Sequence, residues 1–570
     1  MNRNILIMKK KLLLLIGCIT LQTATFAQAP KWVEKAKKAV FSVVAYDENN
    51  QIKATGNGFY IDEKGTGLSD YTLFDNVKRA VVVNANGKEL PVERIMGANS
   101  IYDVVKFRTS TDGNIEYLKI AVNPAKVGET VYLLPYSTQK NATVQTGKVT
   151  AVDSIGHDGF YYTLSIQTNA KTISCPIMNA NGEVLGMIQK NASDEATESY
   201  AIGASYGNSL QITALSGNDV TLNKIKIPKA LPEQEDQALV YLYMLSSNKE
   251  TYPQALEDFL KEHPNNYEGY LRRAALNMEE NTSASWKLAQ NDMDKAIDIA
   301  TSKAEAKYSL AKMLYAYLIG YEEDKQNPDW NLEKTLALLQ ESIAEDPQPG
   351  YIQLQGDLLF ALKRYPEAFE SYNQVNKTEL ASAATFFSAA KAKQMIEGAD
   401  IKEAIALMDS AVAKCVVPYT SEAAPYLYER ALAKMEVKDY RGAALDFNDT
   451  YKAFNGTVNA NFYYQREQAE VNCRMYKQAL DDINQAVELE PNDAVFWMEK
   501  GSVHIRVAQL DEAEAPLRKA IELDAKLAPA YRMLGYLYAQ KKKTKEAFTY
   551  FEKAKELGDS SVDSLMEKYR

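Results

Sequence analysis

The pattern of apolar and polar positions changes character near residue 215. From Phe41 to that point, short apolar runs alternate with polar residues between turn signals, which predicts β-strands. Beyond residue 236, apolar residues recur every three or four positions, which predicts amphipathic helices. We therefore expect a multidomain chain that is all-β first and all-α afterwards. The predicted parts are a targeting segment (1–29), a β domain (30–215), a linker (216–236) and a helical domain (237–570).

The clearest helical pattern lies between Ala528 and Ala554. Its first helix carries apolar or small residues at i, i+3, i+4 and i+7, namely Tyr531, Leu534, Gly535 and Tyr538. After a break at Lys541–Lys543, a second helical face carries Ala547, Phe551 and Ala554. The small residues Gly535 and Ala547 predict a close approach of the two helices. A pair this short cannot bury its own apolar faces, so it needs stacked neighbours.

The same helical pattern returns at a spacing of 34 residues. Ala513, Leu517 and Ala520 lie 34 residues before the second helix, and Ala479, Ile483 and Ala486 lie 34 residues before those. Weaker copies extend upstream to about residue 236. This period, with a small residue at position 8 and alanines at 20 and 27, resembles the tetratricopeptide repeat (TPR) family. The resemblance implies an α-solenoid of about eight or nine helical pairs.

The N-terminal domain shows the signals of small antiparallel barrels. A short amphipathic helix is predicted at 31–40, followed by a strand at 41–46. Asn86-Gly87 and Asn181-Gly182 each lie between apolar runs, which indicates tight hairpin turns. Many short strands with such turns predict a β-barrel or sandwich, and the segment is long enough for two small barrels.

Three blocks of this domain resemble trypsin-like serine proteases of the bacterial HtrA type. The blocks are TGNGFYIDEKGTGLSDYTLFDNV (55–77), GANSIYDVVKF (97–107) and SIQTNAKTISCPIMNANGEVLG (165–186). In that family the first block supplies the general base, the second its orienting aspartate, and the third the nucleophile and oxyanion-hole amides. The resemblance implies an all-β double barrel of the trypsin type.

The same blocks argue against protease chemistry. The resemblance places Thr72 at the position of the base, and a hydroxyl has no pKa near neutrality with which to accept a proton. Asp103 is retained but has no imidazole to orient. Counting back from Pro176, the nucleophile position holds Ile173, and the third block is about four residues shorter than the family pattern. We expect a pseudoenzyme with a degenerate triad at Thr72, Asp103 and Ile173.

Neighbouring residues leave an enzymatic alternative open. Ser174 lies one position from the expected nucleophile, and Lys171 could pair with it. Cys175 is a thiol that could pair with His157 across a hairpin. The chain has three histidines, and the other two lie in the helical region. A divergent serine- or cysteine-type endopeptidase that acts through Ser174 or Cys175 is therefore the alternative hypothesis.

Residues 1–29 have the layout of a secretory signal. Lys9–Lys11 precede an apolar run to Phe26, and Ala27 and Ala29 both fit small-residue cleavage rules. We expect an exported protein of the periplasm or cell envelope. The sequence Leu15-Ile16-Gly17-Cys18 leaves a lipoprotein anchored at Cys18 as the alternative. No other run approaches the ~18 apolar residues that a membrane span needs.

Charge and composition narrow the classes of partner and cofactor. The formal net charge is −10, and loss of Arg3 and Lys9–Lys11 with the signal makes it four units more negative. This charge disfavours nucleic acids and anionic membranes as partners. The sequence holds no HExxH or CxxC motif and no phosphate-binding glycine loop, so we expect neither metal nor cofactor.

The two halves together predict a binding function. By the TPR resemblance, positions 2, 5, 9 and 12 of each first helix face a groove that binds peptides or proteins. Tyr, Met and Arg are enriched at such surfaces but also pack cores. The residues predicted to line the peptide-binding groove are Tyr428, Tyr464, Gln468, Met498, Ile505, Arg532 and Tyr536. We expect an exported, non-catalytic scaffold whose barrels either dock peptides or only cap the repeats.

Overall fold

The computed structural model describes residues 30–570 except 112, 140–143, 157–158 and 192–197. The chain divides into two compact units, one ending at Asn277 and the other starting at Met278. The predicted signal segment, its Cys18 and His157 lie outside the described residues. Within the described residues, no helix has both the length and the apolar character that crossing a bilayer requires.

The first unit contains two closed six-stranded barrels, which confirms the predicted all-β double barrel. Counted from its own first strand, each barrel has the same strand order, 1-2-3-6-5-4. The first barrel contains β1 (Val40–Tyr46), β2 (Ile52–Tyr60), β3 (Thr66–Ser69), β4 (Arg79–Val83), β5 (Glu89–Asn99) and β6 (Val104–Thr109). The second contains β7 (Thr130–Leu133), β8 (Gln145–Ile155), β9 (Gly159–Leu164), β10 (Pro176–Met178), β11 (Val184–Ile188) and β12 (Ser199–Gly203).

Glycines make room for aromatic rings in the core of the first barrel. Phe41 on β1 and Phe107 on β6 are fully buried, with ring centroids 6.0 Å apart. A Cβ on Gly58 would lie 2.4 Å from the Phe41 ring, and one on Gly67 would lie 2.9 Å from both rings. The glycine-rich texture of β2 and β3 therefore follows from the size of the rings that they enclose.

The predicted hairpins and N-terminal helix are present with small differences. Gly87 and Gly182 adopt φ of 75° and 80° in the turns before β5 and β11, as tight hairpins require. The helix predicted at 31–40 is shorter: helix α1 (Val33–Ala36) passes directly into a 3₁₀ turn (Lys37–Ala39). Its buried Val33 packs in the same cluster as Leu68 of the first barrel and Met187 of the second.

The segment predicted as a linker packs against the first barrel. Helix α2 (Ala204–Ser209) follows β12, and the short helix α3 (Val220–Lys224) lies within the segment. Leu222, Ile225 and Ile227 are buried in the same cluster as the barrel core. The N–H of Ile95 on β5 donates to the Pro228 carbonyl and the N–H of Ala230 donates to the Ile95 carbonyl, both at 2.8 Å, so the segment pairs beside β5 in a short parallel bridge.

Helices occupy the chain from residue 235 onwards, as the TPR resemblance implies. Three of them, α4 (Glu235–Leu245), α5 (Tyr252–Glu262) and α6 (Tyr267–Glu280), begin in the first unit. The rest are α7 (Ser283–Ile299), α8 (Lys303–Gly320), α9 (Leu332–Glu345), α10 (Pro349–Ala361), α11 (Tyr365–Val375), α12 (Ala383–Gln394), α13 (Ile401–Ala413), α14 (Ala424–Glu436), α15 (Tyr440–Ala453), α16 (Ala460–Asn472), α17 (Tyr476–Leu489), α18 (Ala494–Arg506), α19 (Leu510–Leu523), α20 (Ala528–Gln540), α21 (Thr544–Glu556) and α22 (Val562–Lys568).

Small residues set the distance between paired helices in the repeats. A Cβ on Gly535 of α20 would lie 2.4 Å from the Phe551 ring of α21, which confirms the predicted close approach. A Cβ on Gly501 of α18 would lie 2.5 Å from Leu517 of α19. The start of α16, α18 and α20 at Ala460, Ala494 and Ala528 reproduces the 34-residue period. The second unit is therefore built as a TPR solenoid.

Candidate functional site

Two of the predicted triad positions lie side by side between barrel strands. Thr72 lies in the 3₁₀ turn Tyr71–Leu73 after β3, and Asp103 lies in the loop between β5 and β6. Thr72 donates to Oδ1 of Asp103 from its backbone N–H at 2.7 Å and from its hydroxyl at 2.8 Å. The retained aspartate therefore binds a hydroxyl where the protease resemblance places an imidazole.

The third predicted position lies in a loop of the second barrel that reaches the first. Asn57 of β2 donates from Nδ2 to the carbonyl oxygens of Lys171 at 3.1 Å and Ile173 at 2.8 Å. Ser69 of β3 in turn donates to the carbonyl of Asn57 at 2.6 Å. These bonds fix the loop against the first barrel, and Ile173 presents a half-buried aliphatic side chain there.

The backbone amides of this loop are largely engaged within the protein. An oxyanion hole requires N–H groups that converge on one point and are open to the substrate. In the described loop, four N–H groups donate to protein acceptors instead: Lys171 to Asn169 Oδ1, Thr172 to the Asn169 carbonyl, Ser174 to the Ile188 carbonyl and Cys175 to the Thr172 carbonyl. The distances are 2.9, 2.9, 2.9 and 3.2 Å in that order.

Neither nucleophile of the enzymatic alternative is exposed. Ser174 and Cys175 both have zero exposed fraction. Burial, with a smaller contribution from the Asp70 charge, raises the pKa of the Cys175 thiol to about 12. A thiol with that pKa stays protonated and unreactive at neutral pH. Ser174 adopts φ of 62°, a left-handed conformation that favours glycine, which is the residue the resemblance expects at this position.

Asp70 is an acidic residue of this site that the sequence did not single out. It follows β3 directly and is 6% exposed. Burial first, and then the charge of Asp103, raises the pKa of the Asp70 carboxyl to about 8, while the nearby Ser174 hydroxyl lowers it in part. Oδ1 of Asp70 and Oγ of Ser174 make no well-directed hydrogen bond to a described residue. The carboxyl is therefore largely protonated at neutral pH.

Asn57 and Asp70 carried only weak signals in the sequence. Asn57 is a polar residue between Gly56 and Gly58 in the buried second half of β2, and Asp70 is a charged residue within the buried run that ends at Tyr71. A buried polar residue is normally hydrogen-bonded, but the sequence alone does not show which residue is its partner. The contacts to the loop around Ile173 come from over 100 residues away in the chain.

In the repeats, three of the predicted groove residues line one cavity. Ile505 of α18 and Arg532 and Tyr536 of α20 contribute to a cavity of about 370 Å³, which Ser502, Arg506, Met533 and Leu565 also line. Arg532 pairs with Asp559 at 3.1 Å and donates to the Ser561 hydroxyl. Its guanidinium is therefore already positioned by the segment that leads into α22.

The other predicted groove residues lie elsewhere. Tyr428 lines a separate cavity of about 380 Å³ with Phe454 and Phe462. Met498 is 7% exposed and belongs to the apolar core of the last repeats. Tyr464 packs against the ring of Phe496 at 5.4 Å, and Gln468 donates to Glu467 at 2.7 Å. The structure therefore brings together Ile505, Arg532 and Tyr536 but not the remaining four.

Buried charges within the repeats were also missed. Arg466 donates to both oxygens of Asp482 at 2.6 Å, and the same pairing joins Arg430 to Asp446 at 2.7 and 2.8 Å. Glu467 has zero exposed fraction, and burial together with the charge of Glu499 raises its pKa to about 8. Among the described residues, no group of three or more His, Cys, Asp or Glu side chains could hold a metal ion.

Comparison with known proteins agrees with the fold of both units. A family model described as "Trypsin-like peptidase domain" matches residues 56–187. A second model, "Tetratricopeptide repeat", matches residues 494–527 and 528–557. The chain therefore carries a trypsin-like peptidase domain followed by tetratricopeptide repeats.

Several curated proteins are similar to parts of this chain. They include "Heat shock protein STI1" of Saccharomyces cerevisiae, 31% identical over 93 residues and 16% of each chain. "Mitochondrial import receptor subunit TOM70" of Homo sapiens is 22% identical over 300 residues, which are 51% of this chain and 48% of that protein. "TPR repeat-containing protein MJ1428" of Methanocaldococcus jannaschii is 24% identical over 278 residues, 45% of this chain and 47% of its own. The matches cover about half or less of these relatives.

Proposed function

We propose that this protein is a non-catalytic interaction scaffold of the cell envelope. The repeats bind peptide or protein partners, and the trypsin-like barrels act as a docking module without hydrolysing what they bind. The observation that carries the proposal is that Ser174 and Cys175, the hydroxyl and thiol next to the nucleophile position, have no exposed surface. The hydrogen bonds from Thr72 to Asp103 support the proposal, since Thr72 stands at the position of the general base and its hydroxyl binds the aspartate that would orient that base.

The repeats supply the binding part of the proposal. TPR arrays bind extended peptides or helices along their first helices. The cavity lined by Ile505, Arg532 and Tyr536 offers an apolar wall, a phenol and a guanidinium, which are groups enriched at binding sites. The similar protein named as an import receptor subunit is consistent with a protein-binding role.

Export is part of the same proposal. The basic, apolar and small-residue regions of residues 1–29 support a cleaved signal and a periplasmic or envelope location. A lipid anchor at Cys18 is the competing form. The intact mass of the protein purified from its native host decides between them: cleavage after Ala27 or Ala29 gives an unmodified chain, whereas lipidation gives a chain that starts at Cys18 with added acyl mass.

One observation favours the enzymatic alternative. The Asp70 carboxyl lies next to the Ser174 hydroxyl and has a pKa raised to about 8, near the operating pH that suits a general base. A shifted loop that exposed Ser174 would turn this pair into a serine–carboxylate dyad. The burial of Ser174 and the engaged amides of its loop favour the scaffold.

Covalent probes test the absence of catalysis in the full-length protein. A fluorophosphonate and iodoacetamide are incubated with the folded chain, and labelled sites are mapped by peptide mass spectrometry. We expect no label at Ser174 or Cys175, and label at Cys175 after denaturation as the control for reagent reactivity. Specific labelling of folded protein, lost in Ser174→Ala or Cys175→Ala along with cleavage of a fluorogenic peptide, would establish the endopeptidase.

Peptide-library binding tests the role of the repeats. The full chain is compared with Ile505→Ala and Tyr536→Ala, both of which trim the cavity. We expect peptides bound by the wild type to bind at least ~10-fold more weakly to these variants, a loss of ~1.4 kcal/mol or more. Thr549→Ala, an exposed change on α21, serves as the matched control and should bind normally. Unchanged binding by both cavity variants would show that the peptides do not bind in this cavity.

A further inference from the structure

A further cavity lies in the first unit, away from the degenerate triad. It has a volume of about 320 Å³, within the range of small-molecule sites. Its walls come from the segment 216–229 and from helices α4 and α5. Ile225, Tyr241 and Leu245 are buried side chains that give it an apolar floor.

Two hydroxyl groups on this cavity make no hydrogen bond to the residues that the structure describes. Tyr241 is 4% exposed, and its phenol makes no hydrogen bond to the described residues. Oγ1 of Thr251, at the start of α5, is buried and has no hydrogen-bond partner in the described part of the chain. A buried hydroxyl such as that of Thr251 normally finds a hydrogen-bond acceptor. Both can donate, so an acceptor brought by a ligand would satisfy them.

The cavity also carries an excess of positive charge. Lys78, Lys226 and Lys229 line it, and within the described part of the chain none of them has a carboxylate within 4.0 Å. Among the described residues, the ammonium of Lys226 donates only to the Asn223 carbonyl at 3.4 Å, and the ammonium of Lys229 only to the carbonyl of Ile225. Burial first, and then the charge of Lys226, lowers the pKa of Lys229 to about 8. The half-buried ammonium of Lys229 therefore has no carboxylate partner among the described residues, although a charge partly withdrawn from water is stabilised by one.

The acidic residues of the lining do not cancel this charge. Asp258 is paired with Arg94 at 3.8 Å, and Gln254 donates to its other oxygen at 3.2 Å. Glu250 is the remaining carboxylate of the lining and is exposed. Three ammonium groups therefore face one unpaired carboxylate around an apolar floor.

We propose that this cavity is a binding site for a small carboxylate with an apolar or aromatic body. The carboxylate accepts hydrogen bonds from Lys229, Tyr241 and Thr251, while Lys78 and Lys226 add charge at the rim. The body of the ligand lies against Ile225 and Leu245. The site shares no residue with the TPR groove or the triad positions. Its test is therefore separate from the test of the proposed scaffold function.

The test uses the full-length chain and two probes of equal shape. Phenylacetate and its neutral counterpart phenylacetamide are titrated by calorimetry and ligand-observed NMR. We expect phenylacetate to bind and phenylacetamide to bind at least ~10-fold more weakly, since only the anion pairs with Lys229. A blocked peptide with adjacent phenylalanine and glutamate forms a second arm. Binding in either arm supports the carboxylate site, and the tighter arm identifies a free acid or an acidic side chain as its source.

Variants locate the site. Lys229→Met should weaken phenylacetate binding at least ~10-fold, and Tyr241→Phe, which removes only the phenolic oxygen, should weaken it several-fold. Lys224→Met is the matched control, because Lys224 is exposed on α3 and does not line the cavity. Far-UV circular dichroism checks that each variant is folded. The proposal is overturned if neither probe acid binds, if the amide binds equally well, or if Lys229→Met and Tyr241→Phe both bind like the wild type.

Discussion

The carboxyl group of Asp70 is buried between the two barrels. Its folded-state pKa of about 8 lies above the ordinary value of 3.8, so the folded protein binds a proton that the unfolded chain has lost. The resulting stability is fully present below about pH 4 and is lost as pH rises through about 8. Ionisation of Asp70 therefore opposes folding at alkaline pH.

Asp70→Asn should remove this pH dependence. Relative to the wild type, we expect the variant to gain stability with a slope approaching ~1.4 kcal/mol per pH unit between about pH 5 and pH 7.5. Urea denaturation across that range, with β3 to β6 followed by pulse labelling and mass spectrometry, measures it. Glu63→Gln is the control, since Glu63 is exposed near the same strand. If the free energies of unfolding of wild type and Asp70→Asn change in parallel with pH, the raised pKa of Asp70 is contradicted.

The Arg466–Asp482 pair is a charge interaction buried inside the repeats. The side chains are 9% and 7% exposed, and Arg466 also lies over the Tyr451 ring at 4.6 Å. Arg466→Met should destabilise the repeats by about 3–5 kcal/mol, because Asp482 would keep a buried charge without its partner. The double variant Arg466→Met/Asp482→Leu should recover most of that loss. Thermal denaturation by circular dichroism measures both.

An exposed pair in the neighbouring helix provides the control for this experiment. Lys452 and Asp449 lie 3.1 Å apart with side chains 75% and 39% exposed. Lys452→Met should change stability by less than about 0.5 kcal/mol, since exposed ion pairs contribute little. If the double variant at 466 and 482 is no more stable than Arg466→Met alone, the orphaned Asp482 is not the cause of the loss.

At the scale of elements, the turns between paired helices share one left-handed backbone conformation. Lys363, Lys438, Arg474, Ala508 and Lys542 each follow a first helix and have φ between 58° and 65°. In the turn after α18, the N–H of Gln509 donates to the His504 carbonyl at 2.9 Å, which closes the helix end. A left-handed residue with a Cβ is strained by roughly 1–2 kcal/mol, and glycine relieves that strain.

Ala508→Gly should therefore stabilise the repeats. The strain relieved exceeds the entropy that glycine adds to the unfolded chain, so we expect a net gain of about 0.5–1 kcal/mol. Ala515→Gly makes the same chemical change at an exposed right-handed position inside α19 and should instead cost up to about 1 kcal/mol. Chemical denaturation of both variants gives the signs. If both changes alter the free energy of unfolding equally, Ala508 is not strained in its turn.

How far the sequence predicts these elements depends on whether the signal is local. The 34-residue period and the Gly535–Phe551 contact follow from periodicity within one repeat, and the hairpins follow from Asn86-Gly87 and Asn181-Gly182. The packing of residues 216–231 on the first barrel was not foreseen, because short apolar runs there have no period. The cavity at Lys229 and Tyr241 was missed for the same reason, since its walls come from separate elements.

At the scale of the whole molecule, two kinds of architecture share one chain. The barrels close their strands by long-range pairing, whereas each repeat packs mainly on its sequence neighbours. In a repeat array, a local defect is expected to spread to adjacent repeats and fade with distance. The division of the chain between Asn277 and Met278 predicts that such a defect stays within its own unit.

Gly535→Ala tests this difference in the full-length protein. The new methyl would lie 2.4 Å from the Phe551 ring, so the closely packed α20–α21 pair must separate at a cost of about 1–3 kcal/mol. Hydrogen–deuterium exchange should rise in residues 494–568, decline towards earlier repeats and stay unchanged in β1 to β12. Gly558→Ala is the control for an added methyl in open space, although its φ of 96° adds local strain at that turn. Because that strain is confined to the surface turn after α21, exchange within α20 should stay near the wild-type rate. A rise in exchange across the barrel strands in Gly535→Ala would show that the two units unfold as one.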